Sequence, residues 1–390
     1  MARKKPAKRP AAPEKPAADT GAIVAVAALC AVLAGASLAV DTIAASAFDA
    51  PKRLIALSGT ALAAAAVFAR GRTAGQHFAE LLREGPGTRR AALWLGLAAL
   101  AGAWIATLAS PRPGISLDAM RSITLLALLL PLGASRALRR GHAWLCGAFL
   151  AACGINAAVA ILESRGVYSP FALQTFGARQ DTGAFAGNVG YLAIALALAS
   201  VLALGIALTA RTRALRVLAL AAVGLFAAGL LVNQNLTALT SVLAGSVVLL
   251  FLRFRARAAL PVAAAVAAVA LALAAYAPLR QRAGELTRAV RTGNWDALVS
   301  FRGGPWAAAL EMTRERPLTG FGPGTFAAEY VPHRLAAEIR LRRRFVTPLA
   351  TSSYAEAHSD YLQAFSDAGL PTGAVAIAAG ACLFSAVAGT

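Results

Sequence analysis

The sequence predicts an all-α fold: a polytopic bundle of transmembrane helices with one long helical segment outside the membrane. Three observations carry this expectation. The 390 residues are 58% hydrophobic and 14% charged, with a mean hydropathy of +0.63, whereas soluble domains hold about 25% charged residues. Apolar runs near twenty residues recur along the chain, each long enough to cross a ~30 Å hydrocarbon core as a helix. Basic residues gather between alternate runs, as the positive-inside rule requires. Together these exclude a soluble enzyme, a disordered tail and a disulfide-stapled module. The net charge of +20 would suit nucleic acid if it formed one patch. Split among alternate loops, it reads as topology, and no nucleic-acid partner is expected.

The elements follow in order. Residues 1–20 are rich in Lys, Arg, Pro and Ala and form a basic cytoplasmic tail that cannot bury a core. The run at 21–40 is the first span. A signal peptide cleaved at Ala34-Gly35-Ala36 is the competing reading, disfavoured because the run stays apolar past that point and more spans follow. Further runs lie near 54–69, 91–109, 119–138, 143–162, 185–209, 214–232, 236–252, 259–277 and 372–388, which makes about ten spans. With the N-terminus in the cytoplasm, inside segments hold twenty Lys and Arg residues and the short outside segments six.

One connection breaks the rhythm. Residues 278–357 form a long outer loop holding the other twelve arginines. Long segments translocate regardless of charge, and a loop of this length is uncommon unless functional. The expected organisation is therefore a tail at 1–20, transmembrane helices 1–9 at 21–277, the outer loop at 278–357, and an outer helix plus the last span at 358–390. The chain stops directly after an apolar run, so further spans are expected beyond residue 390. Cys30, Cys146, Cys153 and Cys382 all lie inside apolar runs without metal-ligand spacing, and read as small core residues.

Polar stretches that can carry chemistry are few. ARQDTGAFAGN, ending at Asn188, places Arg179, Asp181 and Asn188 at the membrane edge, where polar groups are costly; an interfacial anchor or helix cap is the plainer reading. In RGGPWAAALEMTRER, Arg302, Trp306 and Leu310 fall on one helical face, and Pro317 ends the helix. LTGFGPGTF then sets Gly320, Gly322 and Gly324 at every second position, for a tight turn or a close approach to a ligand. LAAEIRLRRRF, Leu335 to Phe345, is either a basic amphipathic helix on the outer leaflet, meeting phosphates of membrane lipids, or a solvated charged face. In AHSDYLQAFSDAGLPTG, His358, Tyr361, Leu362 and Phe365 share a helical face, and Gly369 and Pro371 break the helix before the last span. A histidine there can accept a proton near neutral pH.

The combination resembles the O-antigen ligase and polymerase superfamily of bacterial envelope enzymes. The resemblance rests on Arg179 with TGAFAGN, on Arg302 four residues before Trp306, on RPLTGFGPGTF (Arg316 to Phe326), and on HSDYLQAFSDAGLPTG (His358 to Gly373), in the family's order. Gly190 and Ser359 stand where the family often has asparagine. The resemblance implies transfer of a glycan from a polyprenyl-diphosphate donor to the hydroxyl of a glycolipid or glycan acceptor, at the periplasmic face of the inner membrane. Arg179 and Arg302 would hold the diphosphate and His358 would act on the acceptor hydroxyl. Asn188, Trp306, Gly322, Gly324, Tyr361 and Arg316 would line the substrate site. The chain has neither an Asp-x-Asp pair to hold a divalent metal nor a Walker-type motif, so no metal, nucleotide or other cofactor is expected; a planar guanidinium fork can bind phosphate oxygens in a metal's place. Ligase and polymerase stay undivided at this level. The alternative from another class is a transporter or flippase for an anionic lipid-linked solute, which would also place arginines near a membrane cavity.

Overall fold

The computed structural model describes residues 20–41, 47–69, 87–167, 183–346 and 354–388, with residues 76, 79, 82 and 83. The described residues hold helices and no strand. The helices are α1 (Thr20–Leu38), α2 (Asp49–Phe68), α3 (Gly87–Leu108), α4 (Pro113–Ala127), α5 (Leu129–Ala134) and α6 (Arg136–Ser164). A 3-10 turn at Ala184–Ala186 precedes α7 (Val189–Thr209), α8 (Arg213–Asn233), α9 (Leu236–Phe254) and α10 (Ala259–Ala275). Outside the bundle follow α11 (Ala277–Arg291), the one-turn α12 (Trp295–Leu298), α13 (Gly303–Glu315) and α14 (Phe326–Leu341); α15 (Asp360–Ala388) closes the chain.

Among the described residues nine stretches are long and apolar enough to cross a membrane, α4 and α5 counting as one (Pro113–Gly133), and α10 with α11 forms a pair bent by 92° that makes a tenth if counted as one span. The expected ninth span is the one that departs from the pattern. α10 has 17 residues, about 25 Å at 1.5 Å per residue. It stops at Tyr276, whose backbone is extended, and Pro278 sits in the first turn of α11. The charge content also changes at this point, since α11 carries Arg280, Arg282, Arg288 and Arg291.

Small residues set the helix spacing. Gly59 of α2 faces Val32 of α1, Gly141 of α6 faces Val26 of α1, and Gly102 of α3 faces Thr372 of α15. Gly229 of α8 lies against Ala157 and Leu196. Alanines 25, 63, 106, 157, 193, 199 and 203 are buried along these contacts. Lipid tails are as apolar as a leucine, so helices in a membrane gain more from close van der Waals approach than from apolar burial.

One expected boundary shifts. The run expected at 119–138 stops before Ser135, and Arg136, Arg139 and Arg140 belong to the first turns of α6, because Ser135 accepts a hydrogen bond from Leu138 N (3.4 Å) and caps the helix. Within α15 the expected break before the last span is present: Gly369 has non-helical backbone (φ 79°, ψ 166°), so the outer helix after His358 and the span meet at a kink.

Candidate active site

The outer segment is fastened to one end of the bundle by backbone and by charge. Phe321 N donates to Ser366 O (2.9 Å), Gly322 N to Asp367 O (2.8 Å) and Leu370 N to Pro317 O (2.8 Å), so the glycine strip clasps the head of α15. Gly322 has φ +98°, and a Cβ there would stand 2.6 Å from the hydroxyls of Ser110 and Ser116. A Cβ on Gly324 would stand 2.7 Å from that of Ala119. Ser110 Oγ donates to Phe321 O (2.6 Å). The close approach that these glycines permit is thus one of loop backbone to helix.

Beside the clasp lies a polar cluster. Arg112 Nε donates to Glu329 Oε1 (2.7 Å), and Glu329 is buried. The ring of His333 contacts Glu329 O through Nδ1 (2.7 Å) and Glu315 Oε2 through Nε2 (3.1 Å). Arg316 lies over the Phe321 ring, 5.2 Å from its centre, and donates to Ala109 O (3.2 Å). That carbonyl is one of the unpaired acceptors at the end of α3, where a cation is favoured.

An aromatic ladder leads from this platform to His358. The ring centres of Phe326 and Tyr330 are 5.9 Å apart, those of Tyr330 and Tyr354 5.4 Å, and those of Tyr354 and His358 5.4 Å. The last two pairs meet nearly edge to face, at 76° and 88°, a favoured aromatic geometry. Tyr354 also donates its hydroxyl to Phe301 O (3.2 Å), next to Arg302. One side chain therefore braces both residues expected to do chemistry. The backbone there is strained: Ser300, Phe301 and His358 have φ of 53°, 60° and 53°, a left-handed region that costs non-glycine residues about 1–3 kcal/mol each. Asp296 stabilises the turn by taking Phe301 N on its carbonyl (2.6 Å) and Arg343 on its carboxylate (2.9 Å).

His358 and Arg302 feel one another. Burial, and then the Arg302 charge, hold the His358 imidazole below its usual 6.5, against a smaller opposite pull from Glu356. His358 is thus neutral at pH 7 and able to accept a proton. Burial, then Tyr330, pushes the Tyr354 hydroxyl above its ordinary value, while Arg302 and Arg334 act against this. No carboxylate among the described residues pairs with Arg302. One turn on, Trp306 Nε1 is buried without a hydrogen-bond partner.

The expected residues do not all gather. Arg302, Trp306 and His358 belong to this corner, whereas Arg179 and Asp181 lie outside the described residues. Asn188 caps α7, its Oδ1 accepting from Gly190 N (2.7 Å) and Tyr191 N (3.3 Å). The head of α7 stands near the corner, since the charge of Glu356 reaches both Tyr191 and His358. His358 does not share a helical face with Tyr361, because Ser359 N-caps α15 by accepting from Leu362 N (3.5 Å), and His358 precedes the cap. Tyr361 is exposed, while Leu362 packs on the Tyr330 cluster. The basic run is not one amphipathic helix either. α14 ends at Leu341, Arg340 pairs with Glu311 (2.9 Å) and Arg343 with Asp296 (2.9 Å). Tyr354, Glu329 and Glu356 are not legible as site residues from the sequence, since residues 354–359 are not helical and no period links Tyr354 to His358.

The O-Antigen ligase family model matches residues 221–377. The matched stretch runs from α8 through the bent pair and the outer segment into α15, and so contains Arg302, Trp306, the glycine strip, Tyr354 and His358. No curated protein and no solved structure matches the chain.

Proposed function

For a chain that carries an O-Antigen ligase domain and belongs to that superfamily, we propose that it transfers a glycan from a polyprenyl-diphosphate carrier to an acceptor hydroxyl, at the periplasmic face of the inner membrane and without a divalent metal. The observation that carries this reading is the juxtaposition of a neutral histidine with an arginine that has no carboxylate partner among the described residues, both braced by Tyr354. The acceptor oxygen attacks the anomeric carbon, the bond from that carbon to the diphosphate oxygen breaks, and the diphosphate leaves with the electron pair. His358 takes the acceptor's proton. Arg302, aided by Arg179, neutralises the charge that grows on the departing diphosphate. We assign Trp306, one turn on from Arg302, to the same substrate site, and Arg316 and the glycine strip to holding the platform beside it in place. The activated donor supplies the driving force, so no nucleotide is consumed.

Purified protein given a polyprenyl-diphosphate oligosaccharide and a lipid A-core acceptor should form a new glycosidic bond in the presence of a metal chelator and without ATP. His358→Ala and Arg302→Ala should each lower the rate by about 10²–10⁴. Unchanged transfer in the double variant removes the mechanism, and lipid movement without a new bond favours a transporter. A deletion strain separates the two family activities. Bare core with accumulating carrier-linked glycan marks a ligase, and a single repeat on the core marks a polymerase.

A further inference from the structure

A second chemical feature lies between the helices at the same end of the bundle. A cavity of ≈ 260 Å³ opens between α1, α2, α6 and α7, lined among others by Ser37, Asp49, Lys52, Asn156, Tyr191 and Ala195. Ser37 closes α1, Asp49 and Lys52 open α2, and Tyr191 opens α7. Asn156 and Ala195 lie deeper, so the space reaches down from the bundle mouth between the helices.

One group there is unusual for a membrane interior, and two more stand at the rim. Asn156 is 3% exposed. Its amide donates both protons, to Ser37 O (3.1 Å) and Ala152 O (3.1 Å), while Oδ1 is buried with no partner. An orphaned carbonyl of this kind costs about 1–3 kcal/mol unless a donor reaches it. Lys52 Nζ donates to Phe185 O (2.6 Å) and Ala186 O (3.0 Å), with Asp49 close enough for the two charges to act on each other. The cation and the carboxylate offset one another, so the cavity suits a neutral group better than a second phosphate. Tyr191 adds an exposed aromatic ring at the rim, within reach of the charge of Glu356.

We infer that this cavity is a saccharide subsite. A sugar ring carries hydroxyl donors for Asn156 Oδ1 and Asp49, hydroxyl acceptors for Lys52, and a C–H face for the Tyr191 ring. The volume lies just under the ~300 Å³ at which pockets for larger ligands begin, which fits one ring rather than a chain. The inference rests on the proposed glycan transfer for its choice of substrate. Tyr191 at the cavity rim feels the charge of Glu356, which also acts on His358, so the cavity opens on the side of the bundle that faces the proposed chemistry. The sugar belongs to either the donor or the acceptor, and binding separates the two.

The test uses the full chain in lipid nanodiscs and three probes: undecaprenyl diphosphate bearing one N-acetylglucosamine, the same carrier without sugar, and a sugar-terminated lipid A glycolipid. Asn156→Leu removes the orphan oxygen, and Ala195→Leu fills the cavity while leaving every polar group in place; thermal melting checks that both fold. Each variant should bind one sugar-bearing probe about tenfold more weakly, as expected for a lost hydrogen bond or a blocked ring, with the bare carrier unchanged. Loss on the first probe assigns the donor's sugar, and loss on the third assigns the acceptor's. Unchanged binding of both sugar-bearing probes by folded Ala195→Leu, an equal loss on the bare carrier, or wild-type protein that does not discriminate sugar from bare carrier overturns the inference. Transfer activity is scored separately, so a protein that binds sugar selectively but forms no bond refutes the enzymatic reading alone.

Discussion

Glycines in the bundle and glycines in the outer segment serve opposite ends. In the bundle, Gly59, Gly141 and Gly102 keep helical backbone and merely leave room for the side chains of Val32, Val26 and Thr372. In the outer segment, Gly322 and Gly369 adopt positive φ, and what fills the space over Gly369 is the backbone of Leu318 and Thr319. Side chains can rotate out of the way and backbone cannot. The bundle is therefore specified by size, tolerantly, and the clasp by conformation, strictly. The outer segment is tied by ion pairs to the α3–α4 connection and within itself, at Arg112–Glu329, Arg340–Glu311 and Arg343–Asp296.

The sharpest way to break this contrast is a pair of alanines. Gly369→Ala should cost about 3 kcal/mol or more, combining left-handed strain with backbone overlap, whereas Gly59→Ala should cost roughly 1–2 kcal/mol as Val32 shifts. Thermal melting in detergent reads both, and equal losses would erase the distinction. A smaller effect is expected at the polar cluster. Glu329→Gln leaves Arg112 without its carboxylate; because the Arg112 side chain is 49% exposed, water compensates in part and the loss should be about 1–2 kcal/mol, seen as earlier release of the outer segment in hydrogen exchange. The smallest change concerns chemistry, not stability. Transfer should fall as pH drops through the His358 titration, which lies below the ordinary 6.5 because burial and Arg302 disfavour the charged ring. Glu356 opposes that shift, so Glu356→Gln should move the acidic limb of the rate profile to still lower pH. Movement in the other direction, or none, would mean that His358 does not set the limb.

Legibility in the sequence follows the same division. The spans could be read because hydrocarbon thickness imposes one length and one composition on each. The end of α10 at Ala275 is legible too, because the apolar run stops there and Pro278 follows, but nothing in that run announces that α11 turns by 92°. Around the site, Arg302, Trp306 and His358 stood out by type and spacing, but the roles of their neighbours are tertiary facts. No period in the sequence says that Tyr354 reaches Phe301 O, that His358 precedes its helix, or that Gly322 lies between two serine hydroxyls. Lys52 counted only as a topological charge and Asn156 passed as part of a span, since an orphaned oxygen is visible only once the neighbours of its amide are known.

The pairing of α3 with α15 has a bearing on how the protein is made. Some 250 residues separate Leu108 from Asp360, and at about 5–20 residues per second the ribosome needs tens of seconds to span them. Until Thr372 arrives, the notch at Gly102 has only lipid against it. The glycine strip at 317–324 likewise emerges before the α15 carbonyls that its amides will meet. The site corner therefore closes only once α15 is made, after the other described helices, and a nascent chain stalled before residue 360 would carry the glycine strip unclasped.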